Sequence, residues 1–263
     1  MAPRKPHTAL GTKNAAATIP SNPISHLEFP QISPKRRLIT DVFVEDQILL
    51  IHDFLTLGEC KEFVKFIDSQ PLELTPPKKK GEADRVNLNS VAMAHRLFDL
   101  LSPHLPLFPY PASVKRPDGA SARCVHSFNP NIRMYKYTPG QHFGPHYDDS
   151  VRDPQTGAKS EWTLLVYLTG AEDGVKGGET IFYRNQRSKT REVITPPLIR
   201  GTALLHRSVA FFIGPNSITL QAKAVTAMDT NVCFTKARQT LYSSEAIIHR
   251  LLHIGNRIPI MLD

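Results

Sequence analysis

Residues 133–148 read Arg-Met-Tyr-Lys-Tyr-Thr-Pro-Gly-Gln-His-Phe-Gly-Pro-His-Tyr-Asp, which places a histidine and an aspartate two positions apart at the end of the stretch. On an extended strand, side chains two residues apart point to the same face, so His146 and Asp148 can act on one ligand. With a second histidine from a distant strand, such a pair forms the facial triad that binds non-haem Fe(II). We therefore predict a metal site in which His146 and Asp148 are two of the three ligands and the catalytic residues.

Short strand-like segments surround this pair. Residues 133–137 alternate, with the arginine and both tyrosines on one face and the methionine and lysine on the other. Further apolar segments, each bounded by turn residues, lie at 162–168, 179–183 and 201–206. This pattern of many short segments is typical of an all-β sandwich or barrel.

Two helices are predicted before these strands. Thr56 and Glu59 have the spacing of a capping box, and an apolar stripe follows, which predicts a helix of about 12 residues. The stripe consists of Cys60, Phe63, Val64 and Ile67. A second helix is predicted over Leu88–Leu101. Helices followed by strands indicate an α+β fold, with the strands forming a barrel or jelly roll.

Composition indicates where the folded domain begins and in which compartment the protein lies. Residues 1–38 are rich in Pro, Ala, Ser and Asn and carry much of the net charge of +8, so we predict a disordered basic tail. The three cysteines are far apart and odd in number, which argues against a disulfide scaffold and favours a reducing compartment. The N-terminus lacks the apolar segment of a secretory signal, and no apolar run reaches the about 20 residues of a membrane span. We expect an intracellular protein, cytoplasmic or nuclear, that is neither secreted nor bound to a membrane.

Over residues 39–206 the chain resembles the Fe(II)/2-oxoglutarate-dependent dioxygenases of the prolyl 4-hydroxylase type. The motifs that carry the resemblance are Tyr137, Gly140-Gln141, Pro145-His146-x-Asp148, Trp162-Thr-Leu-Leu-Val-Tyr-Leu168, Gly177-Gly-Glu-Thr-x-Phe182 and Pro197-x-x-x-Gly201-x-Ala-Leu-Leu205. The resemblance implies a double-stranded β-helix, which is a jelly-roll barrel, with N-terminal packing helices. It also implies hydroxylation of a substrate C–H bond with Fe(II), 2-oxoglutarate as cosubstrate, release of succinate and CO2, and support by L-ascorbate.

The resemblance also implies roles for three residues of the cosubstrate pocket. Tyr137 and Tyr167 stand where family members line that pocket and form hydrogen bonds to 2-oxoglutarate, and Thr180 stands at its wall. The alternative for each tyrosine is an ordinary aromatic residue of the barrel core.

The third iron ligand is missing from its expected place. In the family, the strand matching 201–205 leads into a second strand that carries the distal histidine, and a basic residue farther along binds 2-oxoglutarate. Here neither motif follows. His206, which precedes the expected position, His249 and His253 remain the alternatives, together with no third ligand at all.

Residues 207–263 therefore form a divergent tail, and the dioxygenase domain of residues 39–206 is expected to be incomplete at its C-terminal strands, with unpaired barrel edges. One hypothesis is that Ser208–Ala227 is translated intron and Met228–Asp263 is read out of frame. Codons for Met228–Lys236 can, in a shifted frame, encode the His-Glu-Gly type of segment that the family places here.

Three functions follow as hypotheses. The first is a dioxygenase that acts on a protein or on a small molecule, between which the sequence does not decide. The second is a catalytically impaired or non-catalytic interaction protein on the same scaffold. The third, a basic nucleic-acid-binding module, is least favoured because no basic and aromatic platform motif is present.

Overall fold

The structure is a computed structural model, and strands predominate in it over two α-helices. It describes residues 28–75, 81–108, 124–146, 148, 150–152, 160–185, 191–208, 218–222 and 232–242, the last two ranges as backbone. All statements below concern these residues. His249 and His253, and residues 1–27 of the predicted tail, lie outside them.

The first helix, α1 (Leu57–Asp68), confirms the prediction made from the capping box. The Thr56 hydroxyl accepts a hydrogen bond from the Glu59 amide, and the Glu59 carboxylate accepts one from the Thr56 amide. Cys60, Phe63 and Ile67 are buried as the apolar stripe requires. Burial raises the pKa of the Cys60 thiol to about 12, so this side chain packs as an apolar group.

The second helix, α2 (Val91–Leu101), begins later than the sequence predicts. Residues 84–89 form a strand instead, because they pair along their whole length with residues 131–136. The Ser90 hydroxyl then accepts a hydrogen bond from the Met93 amide and caps the helix. Pairing between strands has thus overridden the local helical pattern of Leu88 and its neighbours.

Thirteen strands are formed within the described residues. They are β1 (Ile39–Val44), β2 (Ile48–His52), β3 (Glu73–Leu74), β4 (Asp84–Asn89), β5 (Cys124–Phe128), β6 (Asn131–Tyr137), β7 (Phe143–His146), β8 (Ser160–Tyr167), β9 (Thr180–Asn185), β10 (Arg191–Ile194), β11 (Ala203–Arg207), β12 (Ile218–Ala222) and β13 (Val232–Tyr242). Short 3-10 turns lie at Ser102–His104 and Ala171–Asp173.

The strands form two antiparallel sheets. The larger has nine strands in the order β1-β2-β11-β8-β13-β6-β4-β3, with β5 also paired to β13. The smaller has four strands in the order β10-β9-β12-β7. The two sheets and the helices form three layers, because the strands of the larger sheet bury both faces.

One apolar cluster lies between the helices and the larger sheet, and a second lies between the two sheets. Trp162, Leu164 and Val166 of β8 join the first cluster with the buried side chains of both helices. Leu165 and Tyr167 of β8 join the second, in which Phe182 of β9 and Ile194 of β10 come from the smaller sheet. The alternation predicted for β6 is confirmed: Ile132 and Met134 face the helices, and Tyr135 and Tyr137 face the smaller sheet.

Two expectations for the ends of the domain differ from the structure. Residues 28–38 belong to the packed structure rather than to a disordered tail: Ile32 is buried, the Ser33 amide donates to Glu59, and the Lys35 ammonium binds the same carboxylate. At the other end, β12 pairs with β7 and β9, and β13 pairs with β6 and β8, so the edges expected to be unpaired are covered. The intron hypothesis for residues 208–227 stays a prediction.

No helix among the described residues is long and apolar enough to cross a membrane.

Candidate functional site

The carboxylate of Asp148 is the centre of a polar cluster between the two sheets. Asp148 follows β7 and is buried, and its Oδ2 atom accepts a hydrogen bond of 2.9 Å from the Thr163 hydroxyl of β8. The Thr163 hydroxyl in turn lies 3.4 Å from the hydroxyl of Ser208. A buried carboxylate that is held by a hydroxyl donor has its orientation fixed, which is what a metal ligand needs.

His146, the last residue of β7, lies against one side of this carboxylate. Its Nδ1 atom is 3.0 Å from the carbonyl oxygen of Gly144. A carbonyl only accepts, so Nδ1 is the ring nitrogen that carries a proton in this contact. The Nε2 atom lies 3.5 Å from Oδ1 of Asp148, and the side chain is 23% exposed. The ring is therefore oriented with Nε2 towards the Asp148 carboxylate, and Nε2 itself is buried although another part of the side chain is exposed.

His206 of β11 lies against the other side. Its Nε2 atom is 3.3 Å from Oδ2 of Asp148, and its Nδ1 atom is 3.4 Å from the carbonyl oxygen of Arg207. Strand register explains the placement, since His206 is the direct partner of Thr163 in the pairing of β11 with β8. Opposed residues in an antiparallel pair share a face, so Thr163 and His206 both reach Asp148.

The donor atoms of this cluster suit Fe(II), which takes two imidazoles and one carboxylate in facial triads. Two donors that share a metal at bond lengths of about 2.1 Å lie about 3 to 3.4 Å apart. The distances from Nε2 of His146 and of His206 to the nearer oxygen of Asp148 are 3.5 and 3.3 Å. The cluster is a row, however, with each imidazole at a different oxygen of Asp148. As it stands, no group of three His, Cys, Asp or Glu side chains in the described part of the chain could hold a metal ion. Filling the site requires a side chain to turn.

Tyr137, Tyr167 and Thr180, predicted for the cosubstrate pocket, are all buried. Both tyrosines belong to the apolar cluster between the sheets. Tyr167 lies on the same face of β8 as Thr163, four residues or about 13 Å farther along the strand. Burial raises the pKa of both phenols well above the usual value, and the Thr180 hydroxyl opposes part of that rise at Tyr167. Both phenols therefore stay neutral at physiological pH and keep a proton to donate.

The predicted lack of a basic residue for 2-oxoglutarate stays a prediction. In the backbone pairing of β13 with β8, Lys236 lies opposite Leu165 and Arg238 lies opposite Thr163. Two basic residues of β13 thus lie at register positions beside β8, the strand whose Thr163 donates a hydrogen bond to Asp148.

Sequence reasoning missed two residues that fix the site. Thr163 orients Asp148, and Phe182 packs its ring against the His206 ring at 5.2 Å. A signal for Thr163 was available, because it is a polar residue in the otherwise apolar run 162–168. Phe182 ends one of the motifs that carry the resemblance, but its contact with His206 could not be read from the sequence because it depends on how the two sheets face each other.

The fold and the cluster together define a two-sheet protein with a buried aspartate between two oriented histidines. The family model described as the 2OG-Fe(II) oxygenase superfamily matches residues 132–220, which include all three side chains. The chain thus resembles the 2-oxoglutarate- and Fe(II)-dependent oxygenases, as the sequence motifs indicate, and this family implies Fe(II) and 2-oxoglutarate. No curated protein matches the chain by sequence.

Several solved structures are similar to this chain at low identity. A viral collagen prolyl hydroxylase from Paramecium Bursaria Chlorella virus-1 is 17% identical, with a TM-score of 0.44 over 76% of this chain and 99% of its own. A Pseudomonas putida prolyl-4-hydroxylase is 10% identical, with a TM-score of 0.45 over 76% of this chain and 96% of its own. A non-heme alpha ketoglutarate dependent carbocyclase from nogalamycin biosynthesis is 12% identical, with a TM-score of 0.47 over 84% of this chain and 92% of its own.

Proposed function

We propose that this protein is an Fe(II)- and 2-oxoglutarate-dependent oxygenase that hydroxylates a substrate C–H bond, in the manner of a prolyl 4-hydroxylase, and releases succinate and CO2. The observation that carries the proposal is the convergence of an oriented His146 imidazole with the carboxylate of Asp148, inside the segment that matches the superfamily. The proposal includes a double-stranded β-helix formed by the two sheets. Bound Fe(II) and 2-oxoglutarate would supply the oxidising chemistry, with L-ascorbate keeping the iron reduced.

The chain's own residues have distinct tasks in this proposal. His146 offers the lone pair of Nε2, and Asp148 offers a negative charge that offsets part of the charge of the cation. The Gly144 carbonyl and the Thr163 hydroxyl hold these two side chains in orientation.

The cosubstrate is proposed to lie between the sheets, against Tyr137, Tyr167 and Thr180. A neutral phenol donates a hydrogen bond to a carboxylate without placing a second negative charge beside it. Such a bond to an ionised group contributes about 1.5–3 kcal/mol. The surrounding apolar side chains exclude water and strengthen these bonds.

The substrate is proposed to approach from the side where His146 is partly exposed, while Asp148 and His206 are covered. A protein side chain and a small molecule both fit this proposal, whereas a nucleic acid or a membrane is no part of it. We propose an intracellular, cytoplasmic or nuclear, location for the reaction.

The test is the consumption of 2-oxoglutarate without added substrate, measured as succinate released in the presence of Fe(II) and ascorbate. We expect turnover in the wild-type protein and its loss in His146→Ala and Asp148→Ala. His95→Ala is the matched control, because His95 is an exposed residue of α2, away from the cluster. Equal turnover in His146→Ala and the control would refute the assignment of His146.

The second candidate is a catalytically impaired or non-catalytic interaction protein on the same scaffold. It is favoured by one observation: β12, the strand beside β7, has Leu220 opposite His146 and contains no His, Asp, Glu or Cys. Calorimetric titration separates the candidates. If neither Fe(II) under anaerobic conditions nor 2-oxoglutarate binds to folded wild-type protein, the interaction protein is the better description.

A further inference from the structure

We propose that Arg184 of β9 is a specificity-determining residue that binds a carboxylate group of the substrate, at the open end of the space between the two sheets. The inference rests on the proposed function and deepens it by naming the substrate class, which is a small molecule or a peptide side chain that carries a carboxylate. Its basis is the position of Arg184 relative to the Asp148 cluster and the way in which the guanidinium is held.

Arg184 lies on the inner face of β9, which is the face that meets the larger sheet. Phe182 marks this face, because it belongs to the apolar cluster between the sheets and its ring lies 5.2 Å from the His206 ring. Side chains two residues apart on a strand share a face, so Arg184 points the same way as Phe182. On the neighbouring strand β10, Glu192 and Ile194 are likewise two residues apart, and Ile194 belongs to the same apolar cluster.

The strand register gives the distance of Arg184 from the cluster. In the smaller sheet, Phe182 lies opposite Leu220, and Leu220 lies opposite His146. Arg184 is two residues, or about 7 Å, beyond this row of paired residues, and Thr180 is as far from it on the other side. The strands β9 and β7 are two strand spacings, or about 10 Å, apart. Arg184 thus lies one row from the cluster, on the side away from the proposed cosubstrate pocket.

The space between the sheets opens to solvent at the level of Arg184. Thr180 and Phe182 on the inner face of β9 are buried, and so is Ile194 on the inner face of β10. Two residues farther along each strand, the side chains of Arg184 and Glu192 are 27% and 36% exposed. A substrate that enters between the sheets from this end therefore passes the guanidinium of Arg184.

Glu192 holds this guanidinium in place but engages only part of it. Glu192 is the direct partner of Arg184 in the pairing of β9 with β10, and its Oε2 atom lies 3.4 Å from Nη1 of Arg184. Charge-assisted hydrogen bonds of this kind are about 2.7–2.9 Å long, so the contact is a weak one. A guanidinium has five N–H donors, and this contact engages Nη1 alone. The other nitrogen atoms can bind a carboxylate through two parallel hydrogen bonds.

The nearby negative charges are offset by other groups. Glu161 lies two residues from Thr163 on β8, on the side away from Tyr167, and its carboxylate lies 3.7 Å from the guanidinium of Arg207. The negative charge of Asp148 offsets part of the charge of the cation in the proposed function. Arg184 therefore offers a positive charge that a substrate carboxylate can approach.

The test measures the binding of matched probes to the full-length protein, saturated with Zn(II) and 2-oxoglutarate. Zn(II) has no redox chemistry, so the loaded protein does not turn over. Hexanoate and hexanamide have nearly the same shape and differ in charge, and the peptides Ac-Ala-Glu-Ala-NH2 and Ac-Ala-Gln-Ala-NH2 differ in the same way. Ligand-observed NMR gives the Kd of each probe.

Four variants are compared with the wild-type protein. Arg184→Gln removes the charge, Arg184→Lys keeps the charge without the planar fork, and Glu192→Gln removes the carboxylate that engages Nη1. Lys61→Gln is the control, because it removes a positive charge from an exposed position of α1, on the other side of the larger sheet. Thermal unfolding shows that each variant is folded.

We expect the wild-type and control proteins to bind the acid of at least one pair about 10-fold or more tightly than its amide, since hydrogen bonds to charged groups are strong. Arg184→Gln should lose this preference, and Arg184→Lys should keep part of it. Glu192→Gln should tighten the binding of the acid by about 2- to 5-fold, because it removes a competing carboxylate. A purely structural ion pair predicts instead that Arg184→Gln and Glu192→Gln act alike.

The two probe pairs distinguish the sources of the carboxylate. A preference confined to hexanoate indicates a small acid, and one confined to the glutamate peptide indicates an acidic side chain. Equal affinities for acid and amide in both pairs, or a preference that Arg184→Gln retains, refute the inference and leave the proposed function standing. If calorimetry shows that the folded wild-type protein binds neither Zn(II) nor 2-oxoglutarate, the proposed function fails and the inference fails with it.

Discussion

The carboxylate of Glu59 allows the sharpest prediction for the stability of this fold. It accepts hydrogen bonds from the Ser33 amide at 2.6 Å, the Lys35 ammonium at 2.7 Å and the Thr56 amide at 2.8 Å. Burial by itself would raise the pKa of Glu59, but these donors and the positive charge of Lys35 lower it from 4.5 to about 2. One side chain thus caps α1 and fastens residues 33–35 to it.

The size of the effect follows from the two pKa values. A shift of one pKa unit corresponds to about 1.4 kcal/mol, so Glu59 contributes about 3 kcal/mol to the free energy of unfolding at neutral pH. Because the folded-state pKa is the lower one, the contribution is complete above the unfolded value of 4.5. It falls as the pH drops through that value towards 2, and linkage gives a loss of about 2 kcal/mol between pH 6 and pH 3.

The change to test is Glu59→Gln, which keeps the shape of the side chain and removes its charge. Urea unfolding of variant and wild type from pH 7 to pH 3, followed by the fluorescence of the single and buried Trp162, isolates the contribution of this carboxyl group. We expect a difference of about 2–3 kcal/mol at pH 7 that shrinks as the pH falls. Glu62→Gln is the control on the same helix: its pair with Lys65 is exposed, so it should cost no more than about 0.5 kcal/mol. A Glu59→Gln difference below 1 kcal/mol, or one that is the same at pH 7 and pH 3, would refute the reasoning.

Three further changes test the site and the fold. Tyr137→Phe removes one hydrogen-bond donor and should raise the Kd of 2-oxoglutarate about 10-fold or more. The control Tyr183→Phe, on the outer face of the smaller sheet, should leave the Kd unchanged. Equal affinities of the two variants in calorimetry would contradict the role of Tyr137 in cosubstrate binding. Thr163→Val should weaken Co(II) binding by about 10- to 100-fold, and unchanged affinity in the folded variant would remove Thr163 from the site. Gly201→Ala should destabilise the protein by about 2 kcal/mol or more in urea unfolding, because its φ is +77° and a new Cβ would collide with a backbone carbonyl. Gly174 also has a positive φ, of +80°, but an added Cβ would meet no atom within 4 Å, so Gly174→Ala should lower the free energy of unfolding by only about 1 kcal/mol. Equal losses in the two variants would show that the collision at Gly201 does not matter.

Local patterns predicted the parts of the fold that depend on neighbours in the chain. The capping box and stripe of α1 lie within one run of 12 residues, and the alternation of β6 follows from the period of two along any strand. The start of α2 was wrong by three residues, because residues 84–89 pair with β6 and only then can Ser90 cap the helix. The packing of residues 28–38 was missed for a similar reason, since Glu59 binds them from 24 to 26 positions away.

The candidate site likewise combines residues that the sequence predicts with residues that only the fold brings together. His146 and Asp148 could be found from the sequence, because two residues on one strand share a face wherever that strand lies. Their supports at Gly144 and Thr163, and the ring of Phe182, depend on contacts that no spacing specifies. Sequence reasoning placed His206 one strand too early for a ligand, yet the structure places its Nε2 atom 3.3 Å from Asp148.

The sequence by itself thus determined which side chains alternate between faces, where α1 begins, and that an imidazole and a carboxylate stand together at residues 146 and 148. Only the tertiary structure decided which other residues meet them. His206 reaches Asp148 because β11 pairs with β8 in the register that sets it opposite Thr163, 43 positions earlier in the chain. A slip of one residue would turn His206 to the other face of the sheet. That register is fixed by the two apolar clusters as a whole, which bury both faces of β8 and β11, and no short stretch of sequence contains that information.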